Sequence, residues 1–330
     1  MYKCKELVND IKIDSFLDKL LEAIKLTTIL NCKIEDSDLK ERFLIQYYTI
    51  FNFAYDDSFE KYDFGNIIGS NEENYNEFSN EMSFIEYKFD KGKINNDFFK
   101  EMHSKLFKNS RFDKNGILIG DYKNSINVDE IKYYMDDLIN FMNDDSLKIH
   151  NLIKCAIFYL QFQKIRPFEK GNEKLSRYLI PIYLYKFNIF KLPIFGMSYT
   201  FSIDKVKYLN LLENVQKIDI NDWISFFLEK CIDQAKEYID SINDFTKRYQ
   251  FCGKIIRNKY NLLISEQLIN IIFGKLNFTS SELVGTMNIS NTQANRYLKY
   301  LVNVGILATD SKHRYKKYYL KELEGIFKYL

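Results

Sequence analysis

The sequence predicts a mainly helical protein that ends in a small helix-and-strand tail. Three observations carry that expectation. The 330 residues include only 12 Gly and 3 Pro, too few chain breakers for a fold of many short strands. Up to about residue 250 the chain is dominated by segments with apolar residues at helical spacing. From about Leu263 the texture changes to three short capped segments followed by two β-runs.

Taken in order, IKIDSFLDKLLEAIKLTTILN carries a helical apolar pattern with Asp14 as its N-cap, and DLKERFLIQYYTIFNFAY carries a second. DDSFEKYDFGNIIGSNEEN is polar with two glycines and reads as a loop. FSNEMSFIEYKF and NDFFKEMHSKLF read as helices. In FDKNGILIGDYKNSI, Asn115-Gly116 and Gly120 bracket a short extended piece. VDEIKYYMDDLINFMND and NLIKCAIFYLQFQKI read as amphipathic helices. KLSRYLIPIYLYKFNI is almost wholly apolar, so it belongs at the centre of the core, with Pro181 as a potential kink. KVKYLNLLENVQK is helical, and Asn221 caps a long helix from NDWISFFLEK onward.

In the tail, ISEQLINIIFGKL forms one short helix. Thr279 with Glu282 three residues on opens a second as a capping box. Ser290 caps a third, which Gly305 closes. ILATDSKHRYKKYYL then reads as two strands around a basic turn. Three short helices and a hairpin make a winged helix-turn-helix pattern. The expected regions are 1–95, an N-terminal helical region; 96–250, a core; and 251–330, the winged helix-turn-helix domain.

Several function classes are excluded on composition. The five cysteines are scattered and never spaced as CxxC, and the three histidines are far apart, so neither a disulfide framework nor a metal centre is expected. MYKCKELVND has no apolar signal region and no run is long enough to span a bilayer, which predicts a cytoplasmic protein. Net charge is only +2 but uneven: residues 251–330 hold 12 Lys and Arg against 5 Asp and Glu. The tail is therefore suited to meet a polyanion, and the body is not.

One stretch carries the chemistry, KIRPFEKGNEKLSR. A Gly-Asn turn opening a helix is a common phosphate cradle. Its residues Arg166-Pro167-Phe168-Glu169-Lys170-Gly171-Asn172-Glu173-Lys174-Leu175-Ser176-Arg177 resemble the core motif of the Fic/Doc family, His-Pro-Phe-x-(Asp/Glu)-Gly-Asn-Gly-Arg-x-x-Arg. Pro167, Phe168, Gly171, Asn172 and Arg177 match. FYLQFQKI resembles the helix ahead of the motif, KEMHSKL the helix ahead of a flap, and GILIG the flap strand. KYLNLLENVQKIDINDWISFFLEK is similar to the family's Tyr-rich and Trp-bearing helices. The resemblance covers most of the chain. It implies a Fic-type helical bundle with a short β-hairpin flap, followed by the winged helix tail.

The family's chemistry is transfer of AMP from ATP, with Mg²⁺, to a protein hydroxyl, and its histidine is the general base. Here Arg166 holds that position, and a guanidinium cannot accept a proton near neutral pH. Lys170 stands at the position of the metal-holding carboxylate. Glu173 replaces the second glycine and brings a negative side chain to the phosphate nest formed with Gly171 and Asn172. Lys174 keeps the charge of the first arginine without its fork, and Arg177 is retained. Standard AMP transfer is expected to be absent or vestigial. Arg166, Lys170, Lys174 and Arg177 either keep an anion pocket that takes ATP or are solvent-facing charges at a helix start. Pro167 and Phe168 read as packing residues, and His103 as a satisfied histidine rather than a site residue. Tyr122 and Lys123 follow the flap strand, where the family engages target peptide, or lie in an exposed loop.

The resemblance also implies an inhibitory glutamate in many members. Thr27-Thr28-Ile29-Leu30-Asn31-Cys32 would place Asn31 there, with Glu86 in Met82-Ser83-Phe84-Ile85-Glu86-Tyr87 as the rival. In the tail, the third helix should offer Asn291, Thr292, Gln293, Asn295, Arg296 and Lys299 outward, residue types that reach phosphates and base edges. Lys312, His313, Arg314, Lys316 and Lys317 form a basic wing suited to the backbone of double-stranded DNA. A winged helix used for protein contacts or dimerisation is the other reading. Two functions follow: a Fic-fold protein acting by binding to a protein or nucleic-acid partner, or an altered transferase in which Arg166 and Lys174 serve a different phosphate donor. A homodimer is consistent with either.

Overall fold

The computed structural model describes residues 3–34, 38–54, 94–107, 118–123, 128–213, 219–310 and 316–321. Thirteen α-helices occur among them. They are α1 (Cys4–Asn9), α2 (Leu17–Ile34), α3 (Asp38–Ala54), α4 (Asn96–Phe107), α5 (Val128–Met142), α6 (Asn151–Ile165), α7 (Asn172–Lys186), α8 (Ser198–Ile203), α9 (Lys205–Glu213), α10 (Ile220–Lys259), α11 (Leu262–Gly274), α12 (Ser280–Met287) and α13 (Asn291–Asn303). The strands are β1 (Phe278–Thr279), β2 (Leu307–Asp310) and β3 (Lys317–Leu320). The loop expected at 56–74, the helix expected over 78–89 with Glu86, and the turn at Asn115-Gly116 lie outside the described residues.

The core is built around α6 and α7. The pattern of α6 predicts one polar face, but the helix is buried all round, and only Asn151 and Lys164 escape full burial. Its charged residue Lys154 survives there because its ammonium reaches the Asp144 carbonyl at 2.6 Å, past the end of α5. His150 caps the helix, its Nδ1 accepting from the Leu152 N–H. Rings from three helices surround α6: Phe99 on Phe162, Tyr183 on Phe158, and Trp223 on Tyr159. The Trp223 indole N–H donates to the Ala156 carbonyl at 2.8 Å, pinning α10 to α6. Pro181 sits in α7 and has no N–H to give the Arg177 carbonyl one turn back.

Helices α2 and α10 run side by side and parallel. The Lys12 N–H donates to Asn221, Lys19 reaches Ser225 and Glu229, and Lys33 reaches Asn243, all at nearly constant sequence offset. Two caps differ from expectation. Asp219, not Asn221, caps α10, because the Asp219 carboxylate accepts from the Asn221 N–H. Asp14 lies in a 3-10 turn, Ile13–Ser15, and the α-helix begins at Leu17.

The 40 residues of α10 run through residue 250 without a break, so the body and the tail share one helix. The tail is also packed onto the body. Phe273 of α11 stands edge-on to Phe245 and Tyr249, and Phe245 stacks on Phe43 of α3 at 4.3 Å. Gln46 donates to the Gly274 carbonyl at 2.9 Å. In the tail the three strands form one antiparallel sheet in the order β1-β3-β2, with Leu307 opposite Leu320 and Phe278 opposite Tyr318. The two-residue β1 was not expected from sequence; it is too short to show alternation.

The caps of the tail helices stand where the sequence places them. The Thr279 Oγ accepts from the Glu282 N–H while the Glu282 carboxylate accepts from the Thr279 N–H at 2.7 Å. Ser290 and Gln293 repeat the arrangement on α13. Thr279→Ala should therefore cost about 1 kcal/mol of stability, read as a lowered urea midpoint at unchanged slope.

Candidate functional site

The loop that joins α6 to α7 is fixed by backbone geometry at both ends. Arg166 closes α6 in the left-handed region, with its N–H bonded to the Phe162 carbonyl. Gly171 opens α7, also left-handed, at φ +79. Between them the Asn172 carboxamide grips both backbone groups of Phe168. Its Oδ1 accepts from the Phe168 N–H at 2.9 Å, and its Nδ2 donates to the Phe168 carbonyl at 2.8 Å. Asn172 is buried, so its polar atoms are spent on holding the loop.

His103 of α4 ties the loop to the segment 118–123. Its Nδ1 accepts from the Gly120 N–H at 2.9 Å, which puts the ring proton on Nε2. That nitrogen lies 3.0 Å from the Lys170 carbonyl and donates to it. The ring stacks on Phe168 at 4.0 Å and is fully buried. Burial holds its pKa down at about 4. The segment adds two more ties: the Lys123 N–H donates to the Pro167 carbonyl at 3.0 Å, and the Glu169 carboxylate accepts from the Leu118 N–H at 3.3 Å. Tyr122 is not in an exposed loop; its ring meets Phe168 edge-on and its hydroxyl donates to Asn96. The remainder of the expected flap hairpin is outside the described residues.

The charged positions have separate fates. The Arg166 guanidinium is about half exposed and forms an ion pair with the Glu173 carboxylate across the mouth of the loop. Lys170 is exposed. Lys174 is partly buried on the first turn of α7. Arg177 is buried, 2 % exposed, one turn deeper. Beneath the loop lies a buried polar cluster: the Tyr159 and Tyr208 hydroxyls 2.6 Å apart, with Gln163 donating to Tyr159 and to Ser176 at 2.7 Å. Burial pushes both tyrosine pKa values up, and the nearby Arg177 charge opposes it. Lys164, half-buried on α6, has an ammonium lowered by burial to about 8.

The structure therefore brings together Arg166, Lys170, Gly171, Asn172, Glu173, Lys174 and Arg177, which the sequence singles out. It does not bring Asn31 to them. Asn31 is a brace past the far end of α7, donating to the Ile189 carbonyl and accepting from the Lys191 N–H. Gln163, Tyr159, Tyr208 and Ser176 join the site without having been expected there, as does the Leu118 partner of Glu169. The spacing of Tyr159 and Gln163, one helical turn apart on α6, was the available signal.

On the tail, Asn291, Thr292, Gln293, Asn295, Arg296 and Lys299 are all exposed on α13, and Lys316 is exposed beside β3. Two of them are committed to structure rather than free for base edges. The Gln293 Oε1 accepts from the Ser290 N–H, and the Asn295 Oδ1 accepts from the Ser280 hydroxyl of α12. Lys312, His313 and Arg314 lie outside the described residues. No group of three His, Cys, Asp or Glu that could hold a metal occurs among the described residues. No helix among them is long and apolar enough to cross a membrane.

Comparison with known proteins bears on this geometry. The model of the Fic/DOC family matches residues 93–184, the stretch from α4 through most of α7. Among solved structures, a Fic family protein from Desulfovibrio desulfuricans G20 superposes with a TM-score of 0.58 at 13% identity, over 93% of this chain and 96% of that one. Fic-1 from C. elegans superposes with a TM-score of 0.53 at 15% identity, over 67% of this chain and 70% of that one. At such identities these neighbours speak to the fold alone. With the family match across the helices that hold the loop, residues 93–184 are a Fic/DOC-family domain in a chain with the Fic-type helical fold.

Proposed function

We propose that this protein acts by binding, as a regulator or inhibitor of a protein or nucleic-acid partner, and does not transfer AMP. The observation that carries the reading is the Arg166–Glu173 ion pair. It stands where the family's general base and phosphate nest would be. A guanidinium is not a base, so Arg166 offers nothing to take the proton of an attacking hydroxyl. His103 is the one histidine at the loop among the described residues, and both of its ring nitrogens are occupied by backbone groups.

A magnesium ion does not fit the residues present. Lys170 puts an ammonium at the position of the metal carboxylate, and the nearest carboxylates are engaged, Glu169 with the Leu118 N–H and Glu173 with Arg166. The Asn172 carboxamide is consumed by Phe168. What survives intact is the scaffold: the turn at Gly171, the loop clamps and buried Arg177.

The test is incorporation of labelled AMP into the protein and into a panel of acceptor proteins, beside calorimetry of ATP with and without Mg²⁺. Wild type should incorporate none. Arg166→His alone should restore nothing, because Lys170 and Glu173 still obstruct. Loss of a general base costs about 10²–10⁴-fold in this class of chemistry, so the assay should resolve a change of that size. Incorporation by wild type that Arg177→Ala abolishes would overturn the reading in favour of an altered transferase.

A further inference from the structure

We propose that the tail carries a duplex-DNA site made by α13 and the C-terminal end of α10, with the phosphate backbone as its principal ligand. This names a partner for the binding role above, yet it uses none of the residues of the α6–α7 loop, so the two stand or fall separately.

The argument begins with how α10 meets α13. Tyr260, which follows the last residue of α10, stands edge-on to Tyr297 at 5.0 Å and to Tyr300 at 5.7 Å. That contact brings the Lys259 ammonium over the Tyr300 ring at 5.4 Å. Arg296 lies on the same side, close enough for its charge to act on the Tyr260 hydroxyl. Lys299 is exposed three residues beyond Arg296, so both belong to one face of the helix. Lys259 was not among the residues the sequence offered for this surface; it comes into the site only because α10 runs past residue 250 without a break.

Neutralisation of charge separates this face from its surroundings. Arg257 pairs with Glu266 at 2.8 Å, and Lys275 pairs with Glu282 at 3.0 Å. No ion pair to Lys259, Arg296 or Lys299 occurs among the described residues. Helix α13 contains no Asp or Glu from Asn291 to Asn303. Neighbouring cations without carboxylates repel one another, and a row of phosphates relieves that repulsion while releasing counterions. The N-terminal turn of α13 presents Asn291 and Thr292, both exposed, as hydrogen-bonding groups. Packing is set elsewhere: Ala294, Tyr297, Leu298 and Leu301 are buried on the opposite face. The helix is thus anchored on one side and positively charged on the other, the arrangement a groove-entering helix needs.

The experiment uses the full chain, because α11 is packed on α3 and α10. A short labelled duplex of mixed sequence is titrated by fluorescence anisotropy across a salt series. Wild type should bind, with log affinity falling linearly against log salt. Lys259→Ala, Arg296→Ala and Lys299→Ala should each make the slope shallower by about 0.9. Lys25→Ala, which removes an exposed cation from α2, should leave the slope unchanged. Absence of binding at low salt, a slope that the three tail variants do not move, or an equal loss in Lys25→Ala would each overturn the proposal. So would a change of oligomeric state in the tail variants without any DNA binding by wild type, since the face would then be a protein contact.

Discussion

Gly171→Ala should lower the stability of the protein by about 2–5 kcal/mol, the sum of two independent costs. The first is backbone strain. Gly171 sits at φ +79, a conformation that costs an L-residue about 1–2 kcal/mol. The second is space. A Cβ there would stand 2.5 Å from Cζ of Phe107 and 2.7 Å from its Cε2. Phe107 is itself buried and packed against His103, so the ring cannot move out of the way without disturbing the clamp on the loop. Overpacking of that kind costs about 1–3 kcal/mol. Urea unfolding measures the total. Phe107→Leu placed in the Gly171→Ala background should recover the steric part but not the strain, giving a favourable coupling in the double-mutant cycle. A Gly171→Ala variant within about 0.5 kcal/mol of wild type would show that the turn is not held as described.

The same position shows what a sequence can and cannot disclose. That Gly171 opens a helix is readable from the Gly-Asn pair and the apolar run after it. That Phe107 forbids a side chain there is not, because 64 residues separate the two. Local signals were the legible ones. The Thr279–Glu282 and Ser290–Gln293 caps act over three residues and stand as read. Asp14 and Asn221 were misplaced as caps by a few residues, since adjacent polar residues compete for one helix start and tertiary contacts choose between them. The polar reading of α6 failed for a related reason. Lys154 and Gln161, two turns apart on one side of the helix, look like a solvent face, but both are buried. The motif residues were legible as identities, while their pairings were not. Arg166 and Glu173 meet because the loop folds back on itself, and Asn172 spends its amide on a backbone group four residues earlier. Asn31 illustrates the limit: a motif-like spacing on α2 says nothing about which end of α7 the helix passes.

Acid should loosen the loop, and His103 should account for it. Neutral imidazole fits both of its partners, the Gly120 N–H at Nδ1 and the Lys170 carbonyl at Nε2. A second ring proton would point at the Gly120 N–H, donor against donor, in a fully buried position. The folded pKa is accordingly about 4 against an ordinary 6.5. The unfolded chain binds the proton more readily, so the contribution of His103 is complete above pH 6.5 and is lost as pH falls toward 4. The loss over that window is about 3 kcal/mol. His150, also lowered by burial, acts in the same direction. His103→Phe separates the two, keeping the stack on Phe168 while removing the titration. At neutral pH the variant should be less stable, because the Gly120 N–H and the Lys170 carbonyl each lose a partner at about 1–3 kcal/mol. Between about pH 7.5 and 4.5 it should then lose some 2–3 kcal/mol less than wild type does. Parallel pH profiles for the two proteins would mean that His103 does not hold the loop as a neutral bridge. A profile flattened in His103→Phe alone would place the acid sensitivity of the Fic/DOC-family domain in the buried histidine that bridges its motif loop and the segment facing it.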